Sequence, residues 1–151
     1  MSEVFVTYLD RLEELHRDFI QALNGLPTEA LNWSPGPEVN SLAVLAAHTA
    51  GSERYWIGDV IARDDSHRDR DAEFRVQVGN ADEAIGRLET ALAHSRSVVA
   101  SLTLADLEER CRVNDQREVT VAWALLHALE HVAIHLGHAQ IMRQWWDALP
   151  H

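Results

Sequence analysis

Apolar side chains recur at three- and four-residue steps along four segments of the chain, and this spacing predicts four helices. The first segment is the clearest, because Phe5, Leu12 and Phe19 share one face while charged residues occupy the opposite face. The predicted helices cover residues 2–24, 41–63, 81–101 and 120–149, with a short extra helix over 103–110. The pattern therefore predicts an all-α four-helix bundle, formed by a single domain over residues 1–151.

The connection between the second and third predicted helices is long. It spans about 17 residues, which exceeds the usual length of a link between neighbouring helices. Residues 63–71 within it are almost all charged, so we expect them to be solvated. Only residues 74–78 alternate between apolar and polar side chains as a strand would, and this segment is short.

The composition excludes several partners and sites. The net charge is −11, and all 13 basic residues are arginines scattered along the chain, so we expect no binding to nucleic acid or to an anionic membrane. The single cysteine, Cys111, excludes an internal disulfide, and we expect an ordinary thiol there. Neither a signal peptide nor a membrane span is evident, so we expect a cytoplasmic protein. The chain has nine histidines against this one cysteine, so any metal ligands would be nitrogen or oxygen atoms.

Four histidines, His127, His131, His135 and His138, share one face of the last predicted helix. Steps of four, four and three residues place them within an arc of about 80°. Two imidazoles at i and i+4 can bind one ion, and a third ligand must then come from another helix. His48 is the candidate, because it lies on the apolar side of the second helix. Three neutral imidazoles suit zinc, nickel, cobalt or iron(II), and they leave a fourth position for water or substrate.

A lone histidine is more often a structural residue than a ligand. We therefore expect no metal role for the four remaining histidines. We also expect these four to lie at the surface: His16, His67, His94 and His151. Residues 127–131 also match the His-x-x-Glu-His pattern of one class of metalloproteases, with Glu130 as a potential base. Those proteases take a further glutamate ligand downstream, and no glutamate follows Glu130, so a protease is not predicted.

The segment from residue 126 to residue 140 resembles the C-terminal signature of the DinB/YfiT-like superfamily. The H-x-x-x-H-x-G-(Q/H) core of that signature is matched by His131, His135, Gly137 and His138. Upstream, the matching residues are 31–35, 40–42 and His48. The resemblance thus covers almost the whole chain, both in length and in the order of its helices.

The resemblance implies a bundle with up-down-down-up topology, for which the long connection between the second and third helices supplies the crossover. It further implies a divalent metal ion, zinc or nickel, held by His48, His131 and His135, and a homodimer. His138 stands where most of the family has glutamine and one branch has histidine. It could be a fourth ligand, a partner of a ligand or a substrate contact, whereas His127 usually lies outside the ligand set.

Members of this superfamily include S-transferases that use bacillithiol or mycothiol, and a thiol-dependent maleylpyruvate isomerase. The resemblance therefore implies metal-dependent transfer of a low-molecular-weight thiol cosubstrate onto an electrophilic small-molecule substrate. Glu130 and His138 are then the candidate catalytic residues, which would orient the substrate or move a proton. Two alternatives remain open: a metal-binding stress-response protein without turnover, and a metal-dependent hydrolase of small amides or esters. A site closed by His127 or His138 as fourth ligand would favour the former.

Overall fold

The computed structural model describes residues 1–150, and His151 lies outside the described residues. Its elements, in chain order, are α1 (Glu3–Leu23), α2 (Thr28–Asn32), α3 (Leu42–Arg54), a π-helical segment (Tyr55–Ala62), α4 (Arg70–Glu73), α5 (Ala81–Ser101), a 3-10 helix (Leu104–Glu108), β1 (Arg110–Asn114), β2 (Arg117–Thr120) and α6 (Val121–Asp147). The four long helical segments coincide with the four predicted ones, which confirms the all-α class. Within residues 1–150, no helix is long and apolar enough to cross a lipid bilayer.

Contacts between helix ends give the directions of three helices. The hydroxyl of Tyr8, early in α1, donates to the carbonyl of Leu125, early in α6, at 3.1 Å. Arg143, late in α6, donates to the carbonyl of Ala22, late in α1, at 3.3 Å. These two helices are therefore parallel. The ring of Trp56, just after α3, lies 5.3 Å from the ring of Trp123, early in α6, so α3 runs the opposite way.

Two apolar clusters occupy the two ends of the bundle and give the direction of α5. One cluster combines the later parts of α1 and α6 with α3 and the earlier part of α5. The other combines the earlier parts of α1 and α6 with the π-helical segment and the later part of α5. Helix α5 is therefore parallel to α3 and antiparallel to α1 and α6. This is the up-down-down-up order, with the segment between α3 and α5 as the crossover.

Buried polar side chains lie where the two apolar clusters meet. His16 is only 1% exposed, so the prediction that it lies at the surface is wrong. Its Nε2 is 2.5 Å from Oε2 of Glu53 in α3, and the hydroxyl of Ser95 in α5 donates to Oε1 of the same carboxylate at 2.6 Å. Glu53 on α3 thus pairs with an imidazole in the core and is itself held by Ser95 on α5, and the spacing of α1 alone does not reveal these contacts.

The secondary structure departs from prediction between α5 and α6, where β1 and β2 pair as an antiparallel hairpin. Residues 74–78, which precede α5, form no strand, in agreement with the all-α prediction. The hairpin buries only Cys111 and Val119, at 3% and 8% exposure, so its apolar alternation is too brief to stand out in the sequence. The extra helix predicted over residues 103–110 is present as the shorter 3-10 helix, capped by Thr103 and Asp106.

Candidate metal centre

Three histidines from two helices converge on one side of the bundle. His48 comes from α3, and His131 and His135 come from successive turns of α6. One ring nitrogen from each lies within 4.8 Å of those of the other two. The two Nε2 atoms of His131 and His135 are 3.2 Å apart, and the ring of His48 lies 5.0 Å from each of the other rings. The fold thus brings together the three residues predicted as ligands.

The electrostatics of this group suit a cation. Burial, and then repulsion from His135 and His48, lower the pKa of His131 to about 3. Burial, followed by His48 and His138, lowers the pKa of His135 to about 4. Both rings are therefore neutral at pH 7 and retain the lone pairs that a metal needs. The two facing nitrogens of His131 and His135 can share only one proton, so one of them carries a lone pair. Three neutral imidazoles form a ligand set that suits zinc or nickel.

Glu73, at the end of α4, fixes the ring of His48 and carries no periodic or motif signal in the sequence. Its Oε2 is 2.9 Å from Nδ1 of His48, which leaves Nε2 of that ring free to face the other histidines. Arg68 donates to both oxygens of Glu73, at 2.6 and 2.8 Å. Burial alone would raise the pKa of Glu73, but hydrogen bonds from Arg68 and His48 hold this pKa below its usual range.

The expectation that residues 63–71 are solvated is therefore wrong for Arg68, whose side chain is 14% exposed. The physical reason is its buried partner, the carboxylate of Glu73. Burying a paired charge costs less free energy than burying an isolated charge. Composition alone cannot distinguish this arginine from its exposed neighbours. His67, in the same segment, is exposed as predicted, with 86% of its side chain accessible.

His138, a predicted catalytic residue, contacts one of the three converging histidines. Its side chain is exposed, and its Nδ1 lies 3.3 Å from Nδ1 of His135. The described residues that could together hold a metal ion are His48, His131 and His135, without His138. This placement makes His138 a neighbour of His135 at the solvent side of the group.

Glu130 and His127 lie further away. Glu130 has 69% of its side chain exposed, and its Oε2 is 3.8 Å from Nδ1 of His127. His127 stacks on Trp123 at 4.7 Å, and its ring centroid is 6.2 Å from that of His131. Both residues line a cleft of about 540 Å³ between α1 and α6, which none of the three converging histidines lines. Glu130 is thus linked to the histidine group only through His127.

Two arginines stack on aromatic rings in this part of the bundle. The ring of Phe74 lies 4.8 Å from His48, and the guanidinium of Arg70 lies 5.0 Å from Phe74. The guanidinium of Arg117 lies 4.6 Å from the ring of Trp123. Neither arginine forms an ion pair within residues 1–150. Arg70 is thus a positive charge beside the ring that contacts His48, whereas Arg117 stacks on Trp123, which contacts His127.

Cys111 supplies no nucleophile at this centre. The residue is 3% exposed in the hairpin, and burial raises the pKa of its thiol above the usual value. A buried, protonated thiol is unreactive at neutral pH. This agrees with the expectation of an ordinary thiol.

Comparisons with known proteins place the chain in a family. No curated protein matches it. Among solved structures it is similar to a conserved protein from Enterococcus faecalis, with a TM-score of 0.78 and 19% identity over 95% of this chain and 97% of that chain. This similarity supports the fold alone. The family model for mycothiol-S-transferase matches residues 7–148, which include all three converging histidines and parts of all four long helices. The chain therefore belongs to the mycothiol-S-transferase family of the DinB-like superfamily.

Proposed function

We propose that this protein is a metal-dependent thiol S-transferase, which joins the sulfur of a low-molecular-weight thiol to an electrophilic carbon of a small substrate. The observation that carries the proposal is the convergence of His48, His131 and His135, with one nitrogen of each within 4.8 Å of the others. The depressed pKa values of His131 and His135 keep both rings available to a cation. The description of the matching family names mycothiol, so we propose a thiol of that class.

In this proposal the three histidines hold a zinc or nickel ion, which supplies positive charge that lowers the pKa of a thiol so that its sulfur reacts as a thiolate. The thiol loses its proton, a sulfur–carbon bond forms, and the electrophile releases its leaving group. His138 is exposed and adjoins His135, so it is placed to accept that proton and pass it to solvent. A role for Glu130 would run through His127 and stays a prediction.

Two features favour turnover over a stress-response protein that only stores or senses metal. The group that could hold the ion contains neither His127 nor His138, so three ligands leave a position for substrate. The chain's own thiol, Cys111, is buried, so a sulfur nucleophile would come from a cosubstrate. Reduced small thiols are abundant in the cytoplasm, which agrees with the location expected from the sequence. Hydrolysis of an amide or ester would use the same ligands, and no contact specifically favours it.

The test is conjugation of mycothiol to monochlorobimane by the zinc- or nickel-loaded protein, followed by fluorescence after chromatography. We expect metal-dependent conjugation that His135→Ala and a chelator abolish, that His138→Ala slows, and that Cys111→Ser leaves intact. Absence of metal-dependent conjugation with mycothiol or any other small thiol would refute the transferase. Thiol-independent hydrolysis of p-nitrophenyl acetate by the same protein would favour the hydrolase instead.

We further propose a homodimer that uses the exposed face of α6. Five large apolar residues of this helix are exposed and share one side: Trp123, Leu126, Ile134, Ile141 and Trp145, at 38%, 65%, 51%, 47% and 49%. An exposed apolar stripe of this kind is typical of an interface, and a second copy presents the same stripe. Light scattering should show a dimer that Ile134→Glu dissociates and that Val4→Glu, at an exposed position on α1, leaves unchanged. A monomeric wild-type protein would refute this proposal.

A further inference from the structure

We infer that Glu73, held by Arg68, is a positioning residue that orients His48 towards the metal ion. The inference rests on the proposed metal centre and extends it to the crossover between α3 and α5. Helix α4 lies in that crossover and ends at Glu73, so a segment far from the other site residues in sequence contributes to the site. Neither the family match nor the histidine spacing assigns a role to either residue.

The first support is the contact between the carboxylate and the imidazole. Oε2 of Glu73 is 2.9 Å from Nδ1 of His48, and both side chains are about nine-tenths buried. A carboxylate in this position accepts the Nδ1 proton, which places the free lone pair on Nε2 and makes the ring a stronger donor. His131 differs, because its Nδ1 is buried without a hydrogen-bond partner within residues 1–150. Glu73 therefore fixes one ligand in a group whose other members have no carboxylate partner.

Arg68 determines what this carboxylate can do. Its Nε donates to Oε1 at 2.6 Å and its Nη2 donates to Oε2 at 2.8 Å, so both oxygens of Glu73 are engaged. A paired, planar grip of this kind fixes the plane of a carboxylate as well as its position. Glu73 is accordingly absent from the described residues that could themselves hold the ion. The arginine thus directs Glu73 to the ligand and away from the metal.

Gly51 provides the space for this arrangement. It lies one turn after His48 on α3, and a Cβ atom at residue 51 would overlap the carboxylate of Glu73. Its φ is not in the left-handed region, so the need for glycine here is one of space. Gly86 on α5 is a natural comparison, because a Cβ there would meet nothing within 4 Å. The close approach of α4 to α3 therefore depends on the absence of a Cβ atom at Gly51.

The first test alters charge. Zinc affinity is measured by competition with a chelator, and cobalt(II) absorption reports the ligand geometry independently of any activity. We expect Glu73→Gln to weaken zinc binding by about 10- to 100-fold and to shift the cobalt bands. Asp71→Asn removes the same charge from an exposed position of α4 and should change neither measurement. An equal loss in Asp71→Asn would show that general electrostatics cause the effect, which would overturn the positioning role.

The second test moves Glu73 without changing any charge. Gly51→Ala should displace the carboxylate and reproduce the loss of zinc affinity and the shift of the cobalt bands, whereas Gly86→Ala should leave both unchanged. Gly51→Ala with wild-type zinc affinity would contradict the inference. Should Glu73→Gln fail to fold, as judged by circular dichroism, the Gly51→Ala and Gly86→Ala pair decides the question alone.

His48→Ala separates this inference from the proposed function. If His48→Ala loses zinc affinity while Glu73→Gln retains it, the metal centre stands and the positioning role is refuted. If His48→Ala retains full zinc affinity, the metal centre itself is refuted, and the positioning role with it. If both variants lose affinity but the wild type conjugates no thiol, the positioning role is supported and the transferase is refuted.

Discussion

Two histidine clusters, one fully buried and one partly buried, adjoin different faces of α3, and they differ in what each imidazole faces. On one face, His16 meets the carboxylate of Glu53 at 2.5 Å, and Ser95 donates to the other oxygen. On the other face, His131 and His135 face each other at 3.2 Å. The His16 ring has a carboxylate partner within the core, whereas the facing rings of His131 and His135 have none and can share only one proton between their two Nε2 atoms. His48 has a carboxylate partner as well, Glu73, so neither burial nor such a partner distinguishes a structural histidine from a candidate ligand, whereas the convergence of three imidazole rings does.

The largest expected effect on stability belongs to the His16 cluster. Glu53→Ala leaves His16 buried without its acidic partner, so we expect a loss of about 3–5 kcal/mol in the free energy of unfolding, measured in urea. Glu13→Ala is the control, because that carboxylate pairs with Arg96 at the surface and should cost under about 1 kcal/mol. A loss of similar size in both variants would contradict the distinction between the two clusters.

Metal should stabilise the protein through the other cluster. Zinc at 100 times its dissociation constant is expected to raise the free energy of unfolding by about 2.7 kcal/mol, because the unfolded chain lacks the assembled site. His131→Ala should abolish this gain, and His67→Ala, at an exposed histidine, should keep it. Equal stabilisation by zinc of all three proteins would place the binding site elsewhere.

A smaller effect should appear in the pH dependence of the metal-free protein. The pKa values of His131 and His135 are about 3 and about 4 in the folded state, against 6.5 for an unperturbed imidazole. Between pH 6.5 and 4 the unfolded chain therefore binds more protons, so stability falls as the pH is lowered through this range. The double variant with His131→Asn and His135→Asn should show a shallower fall in urea denaturation. An unchanged pH profile would show that these two rings do not carry the effect.

The four long helices and the histidine face of α6 could be predicted because both are local patterns, which repeat every three or four residues. His16 could not, because its burial depends on Glu53 and Ser95, which approach from other helices. Glu73 could not either, since it lies in a charged crossover and reaches His48 only through the three-dimensional fold. Spacing along the sequence thus predicts which residues share one helix face, whereas contacts between residues on different helices are evident only in the folded structure.

We propose that His48, His131 and His135 form the metal centre, while His16 belongs to the core. Metal content by mass spectrometry, after purification with added zinc or nickel, tests it most directly. We predict about one ion per chain in the wild type and in His16→Gln, and almost none in His48→Ala, His131→Ala or His135→Ala. Wild-type metal content in all three of these alanine variants would refute a metal centre formed by these histidines.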